Sequence, residues 1–193
     1  MSGIDATLIS QCIKRNERAL NQLYRHCFSM MKGICMRYVF DRNNVDEVIN
    51  SGFLKIVNGL EKYDQGQPFM PWASTVMLRV ALDYVRKTMR STDRTTDLHE
   101  DMGQLNEMPV TYNCADLRLD AEDLLGMLDL LPKQTKVVFN LFAIDGYSHK
   151  EITNQLNISV GTSKWHVSKA RELLKEKIKD KLNKNKSHYE PSH

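Results

Sequence analysis

The sequence predicts an all-α protein of two small helical domains joined by a flexible linker. Three observations carry that prediction. Apolar residues recur at i, i+3, i+4 and i+7 through the first half of the chain and again in its last third. No segment alternates apolar and polar residues in the manner of a strand. Between the two periodic stretches, the pattern dissolves into a polar and acidic segment.

The first domain is placed at residues 1–90. Leu20, Leu23, Tyr24, Cys27, Phe28, Met31, Cys35 and Tyr38 keep helical spacing, as do Val45, Val48, Ile49, Phe53, Ile56 and Leu60. "DQGQP", Asp64 to Pro68, breaks the pattern, and Phe69, Trp72, Ala73, Val76, Val80 and Tyr84 resume it. A compact bundle of three or four helices follows. Residues 91–121 are read as an acidic flexible linker, interrupted by Met108-Pro109.

The second domain is placed at 122–185, with a disordered tail at 186–193. Leu124, Leu125, Leu128 and Leu131 restore the period, and Pro132 suits the first position of a helix carrying Val137, Val138, Leu141 and Phe142. Asp145-Gly146 should end that helix. Ser148 with Glu151 three residues on is a capping box for a short helix ending at Leu156. Asn157 tolerates the left-handed conformation that closes it, and Ser159 caps the next helix, expected to run to about Lys181. Two short helices joined by so small a break must lean on each other and on a third, which is the pattern of a helix-turn-helix.

The 193 residues are 41% hydrophobic and 26% charged, as in globular proteins, and mean hydropathy is −0.46. No apolar run reaches the roughly 18 residues that suggest a membrane span. The first ten residues lack a basic-then-apolar leader, so a cytoplasmic location is expected. Cys12, Cys27, Cys35 and Cys114 form no C-x-x-C pair and read as core thiols of a reducing compartment. The His, Cys and Asp residues are scattered, so neither a metal nor another cofactor is expected. No nucleophile–base pair or phosphate loop argues for an enzyme. The net charge of +3 is uneven: residues 1–90 carry 13 basic against 8 acidic side chains, 91–122 carry 2 against 8, and 123–193 carry 12 against 8. Two basic blocks around an acidic strip suit a polyanionic partner.

The chain carries "LPKQTKVVFNLFAIDGYSHKEITNQLNISVGTSKWHVSKAR" in its last third and, before it, "ALNQLYRHC", "VDEVINSGFLKIV" and "FMPWASTVMLRVALDYVRK" in that order. Together they resemble the bacterial sigma factors of the extracytoplasmic-function group: the first resembles their region four, the other three their region two. The resemblance implies a promoter-specificity subunit that binds RNA polymerase core through the coiled coil of its largest subunit and its flap. It also implies contact with promoter DNA, duplex at the minus-thirty-five element and single-stranded at the minus-ten element, and an anti-sigma protein as antagonist. The runner-up is a two-domain DNA-binding regulator that does not bind the polymerase core.

The resemblance assigns roles residue by residue. Thr162, Lys164, Trp165, His166, Lys169 and Arg171 would face DNA from the recognition helix, with the lysines on phosphates and Thr162 and Trp165 at a thymine methyl or sugar edge. Arg79, Arg86, Lys87 and Arg90 would meet the separated strand, with Asp83 orienting a neighbouring basic residue. Phe69 and Trp72 match family positions but lie on the apolar face and read as core. Asp46, Glu47, Phe53, Leu54 and Lys55 would dock on polymerase. Against the family pattern, Asn50-Ser51 replaces Gln-Glu, Arg79 replaces Asn, and Ser163 replaces an apolar residue.

Overall fold

The structure, a computed structural model, describes residues 4–92 and 126–187, with side chains over 4–89 and 126–180. The described residues contain helices and no strand. Contacts divide the chain into two compact units, Met1–Asp97 and Leu98–His193. Most of the expected linker, most of the expected tail, and Cys114 lie outside the described residues.

The first unit is four helices: α1 (Ala6–Ile13), α2 (Glu17–Tyr38), α3 (Val45–Gly59) and α4 (Phe69–Thr92). Their starts follow local chemistry. The Asp5 carboxylate accepts the Leu8 amide at 2.7 Å, and the Asn16 side chain accepts the Ala19 amide at 3.1 Å. After α3, a 3₁₀ turn at Leu60–Lys62 leads into the break that the sequence marks. There Asp64 takes the Gly66 amide at 2.9 Å, and the Tyr63 hydroxyl donates to the Gln67 carbonyl. The apolar stripes of α2, α3 and α4 meet in a core that includes Leu23, Met31, Ile49, Ile56, Met77 and Leu82. Each such side chain contributes about 1.5–3 kcal/mol by leaving water. Gly52 lets α3 and α4 approach closely, because a Cβ there would overlap the sulfur of buried Met77. Cys12, Cys27 and Cys35 are free and buried, and burial pushes the Cys27 and Cys35 thiols up to about 12 and about 11.

The second unit carries a helix end at 126–128, then α5 (Lys133–Phe139), α6 (His149–Leu156) and α7 (Val160–Ser187). Pro132 sits one place earlier than expected: it is the cap residue, extended at ψ 141°, and its carbonyl accepts the Lys136 amide at 2.9 Å. The helix does not stop regularly at Asp145 either. Asn140–Ile144 forms a π turn, with the Asp145 amide donating to the Asn140 carbonyl at 3.0 Å and Tyr147 to Leu141 at 2.9 Å. A 3.6-residue period cannot reveal one added residue in a single turn, so nothing in the apolar pattern marks it. Gly146, at φ +74°, then reverses the chain. Leu131, Val137, Leu141, Ile152, Val167 and Ala170 are buried and hold the three helices together.

Candidate nucleic-acid interface

The helix-turn-helix is built as its caps dictate. The Ser148 hydroxyl accepts the Glu151 amide while Glu151 takes the Ser148 amide at 2.8 Å, so the capping box is closed. Those bonds to Ser148 hold the Glu151 carboxyl below its ordinary value. Asn157 ends α6 in the left-handed region at φ 57°. Ser159 opens α7, its Oγ accepting the Thr162 amide at 2.9 Å and lying 2.8 Å from Thr162 Oγ1.

α7 has two opposed stripes. Ser163, His166, Val167 and Ala170 are buried, whereas Val160, Lys164, Ser168 and Arg171 are exposed. Lys164 therefore stands where the sequence puts it, near the amino end on the solvent side. Thr162 and Trp165 are half-buried at the flank, Trp165 with its ring edge-on to His166 at 4.9 Å. Lys169 reaches Glu172 at 3.2 Å. Arg171 is exposed and lies 5.9 Å from the Phe142 ring centroid. His166 needs correcting: it is 6% exposed, with Nδ1 3.0 Å from Thr135 Oγ1 on α5. It falls three residues after Ser163 on the packed stripe, and so cannot share the outer surface with Lys164. Ser168, four residues after Lys164, was missed; the i, i+4 spacing is the signal that places it there.

In the first unit, Arg79 and Lys87 are exposed on α4, with Asp83 and Arg86 half-buried on the same side of the helix. Arg86 donates to Asp83, and Lys55 of α3 reaches the same carboxylate at 3.5 Å. Burial opposes the Asp83 charge, but the Arg86 hydrogen bond and the charges of Arg86 and Lys55 outweigh it, holding the carboxyl below its ordinary value. Asp83 thus orients a neighbouring base, as expected. The side chain of Arg90 lies outside the described residues. Asp46, Glu47 and Lys55 are exposed on α3, and Leu54 is 57% exposed. Phe53 differs from Leu54: it is half-buried and set edge-on to Tyr24 of α2 at 5.0 Å. Phe69 is buried beside Tyr63, with half-buried Trp72 against both. A cavity of about 450 Å³ opens there, lined by Ile4, His26, Pro68, Phe69, Met70 and Pro71. The apolar period alone did not foretell it.

Residues 23–91 match the family model of Sigma-70 region 2, and residues 121–174 match that of Sigma-70 region 4, together well over half of the chain. The chain belongs to the extracytoplasmic-function sigma factors. It is similar to the ECF RNA polymerase sigma-E factor of Haemophilus influenzae, with 22% identity over 90% of this chain and 95% of the relative. The corresponding figures for the Escherichia coli K12 sigma-E factor are 23%, 90% and 94%. Among solved structures, it is similar to the sigma factor RpoE of Bartonella quintana, there in complex with the anti-sigma factor NepR. That match has TM-score 0.49 and 17% identity, covering 82% of this chain and 96% of the other.

It is an RNA polymerase sigma factor, acting in promoter-directed transcription initiation. In this sigma factor the region 2 match runs to residue 91, one residue short of the end of α4, and stops before the unit boundary at Asp97. The region 4 match ends at residue 174, within the part of α7 whose side chains pack in the unit. Among the described residues, no group of His, Cys, Asp and Glu is placed to hold a metal ion, and no helix is long and apolar enough to cross a membrane.

Proposed function

We propose that this sigma factor reads duplex DNA of the minus-thirty-five element with α7 while α4 meets the separated strand of the minus-ten element and α3 docks on RNA polymerase core. One observation supports the first assignment above all: the exposed stripe Val160, Lys164, Ser168 and Arg171 lies opposite the packed stripe of the same helix. A helix with one packed face and a basic outer face fits the major groove, with the positive end of its dipole toward phosphates. Thr162 and Trp165 flank that face at the height of base and sugar edges. Lys169 supports it from the side.

On α4, Arg79, Arg86, Lys87 and Arg90 supply cations along the backbone of a single strand. Exposed Leu54, beside Lys55 and about two turns along α3 from Asp46 and Glu47, is the anchor offered to the coiled coil of the largest polymerase subunit, and region four would meet the flap. Phe53 supports that surface from behind. The domains of this reading are 1–90 and 122–185, with 91–121 as the tether between them. The protein works in the cytoplasm, performs no catalysis of its own, and has an anti-sigma protein as antagonist.

Run-off transcription on a genomic library with core polymerase and the full-length protein tests the reading. Initiation at a shared promoter pattern is expected. Duplex binding without any core binding would favour the DNA-binding regulator instead.

A further inference from the structure

We propose that His149, Ser163, Phe142 and Arg171 form a brace that sets the direction of the recognition helix, with Arg171 in it as a positioning residue rather than a phosphate contact. The proposal rests on the reading that α7 lies against duplex DNA.

Ser163 is 0% exposed on the second turn of α7, and its Oγ lies 2.9 Å from Nδ1 of His149, the first residue of α6. A buried hydroxyl costs free energy unless it is bonded, so rotating α7 about its axis would strand both groups. The imidazole is itself held. Phe142, inside the π turn, stacks on it with centroids 4.5 Å apart and planes 16° from parallel. Arg171 then lies 5.9 Å from the Phe142 centroid, within reach of its π face.

Ser163 and Arg171 are eight residues apart on α7, about 12 Å along the axis at the usual rise. The helix is therefore tied to one aromatic stack at two heights, which fixes both its rotation and its tilt. Base edges are read only by side chains held within roughly 0.5 Å and 10–20° of the productive geometry, whereas phosphate contacts carry no sequence information. Loosening the brace should cost selectivity and spare general affinity for DNA.

The test uses full-length protein assembled with core polymerase. Two probes are compared: the duplex that this holoenzyme enriches from a randomised pool, and a scrambled duplex of equal length. Ser163→Ala and His149→Phe should each lower the selected-to-scrambled affinity ratio about tenfold, with the salt slope on the scrambled duplex unchanged. The double variant, lacking both polar groups, should recover most of the ratio. Arg171→Met, an exposed change that leaves the core intact, should lower the ratio too, whereas loss of a phosphate contact would reduce the salt slope by about one.

An unchanged ratio in the folded single variants overturns the brace. So does a double variant no better than the worse single, or a slope lower by about one in Arg171→Met. Lys164→Ala separates the two levels. If it weakens binding while the brace variants are silent, only the brace falls; if it too is silent on both probes, the placement of α7 on DNA falls with it.

Discussion

Thr135 Oγ1 lies 3.0 Å from Nδ1 of buried His166, pinning α7 to α5 through the imidazole. Burial pushes the pKa of His166 down to about 4. The unfolded chain titrates near the ordinary value of about 6.5, so between these limits it binds more protons than the fold does. Stability contributed by neutral His166 is whole above about pH 6.5 and is lost as pH falls toward 4, by about 3 kcal/mol in total. Thermal melts of the full chain from pH 7.5 to 4.5 should show this loss superimposed on carboxylate titration. His166→Asn, which keeps a hydrogen-bonding group at the δ position but does not titrate, should flatten the difference; equal pH slopes in both proteins would refute the assignment.

Leu54 and Phe53 are adjacent in sequence but play different parts. Leu54→Asp removes an exposed apolar group and should leave the melting temperature within a degree or two, since surface changes are usually worth less than about 0.5 kcal/mol. It should nonetheless weaken capture of core polymerase by about tenfold or more, the scale of a binding anchor. Phe53→Asp would push a charge against Tyr24 and should lose stability and binding together. Pull-down with purified core, beside a melt of each variant, checks both outcomes. Full core binding by Leu54→Asp would remove α3 from the interface.

Gly52 makes a test of the α3–α4 contact. Alanine there gains up to about 1 kcal/mol of helix propensity. Overlap with the buried Met77 sulfur opposes it with about 1–3 kcal/mol of overpacking, so a net loss is expected. Denaturant unfolding of Gly52→Ala, Met77→Ala and the pair should show the two changes costing less together than their sum, because Met77→Ala makes room. Strict additivity would mean that the helices do not meet there.

The elements were legible because their signals are local. A capping box, an Asn in the left-handed region and an i, i+3, i+4 stripe each depend on residues within one turn of each other, and Ser148, Asn157 and Leu23 sit as read. What failed depends on contacts between elements. His166 looks polar in a linear reading of "SKWHVSK", yet Thr135, thirty-one residues earlier, gives it a buried partner. Ser163 looked out of place until His149 supplied a bond across the turn. The π turn escaped because no residue in "NLFAI" announces a widened helix. On α3, the family resemblance gave Phe53 and Leu54 a common surface, and only the position of α2 separates them.

Asp83 ties the last prediction to two helices. Its carboxylate holds Arg86 on its own helix and Lys55 on α3, so the side chain proposed to meet the separated strand is positioned by an acid that also touches the helix proposed to dock on polymerase. The pairs are partly solvated, so their contribution to stability is small, at about 1 kcal/mol or less. An effect on function would therefore come from placing Arg86 and Lys55 rather than from lost stability. Asp83→Asn keeps the size and can still accept a hydrogen bond, but removes the charge that orients both cations. Open-complex formation by holoenzyme, followed by permanganate reactivity of unpaired thymines, should fall in Asp83→Asn and further in the Arg79→Ala, Arg86→Ala pair. Closed-complex occupancy should change by less than about twofold, since the upstream duplex contacts are proposed for α7. Lys164→Ala should show the complementary pattern: weaker duplex binding with a salt slope lower by about one, and normal opening once occupancy is matched. Lys169→Ala should shift the slope less, because Glu172 already neutralises it at 3.2 Å. Equal strand opening by wild type and the Arg79→Ala, Arg86→Ala protein at matched occupancy would show that α4 does not hold the single strand.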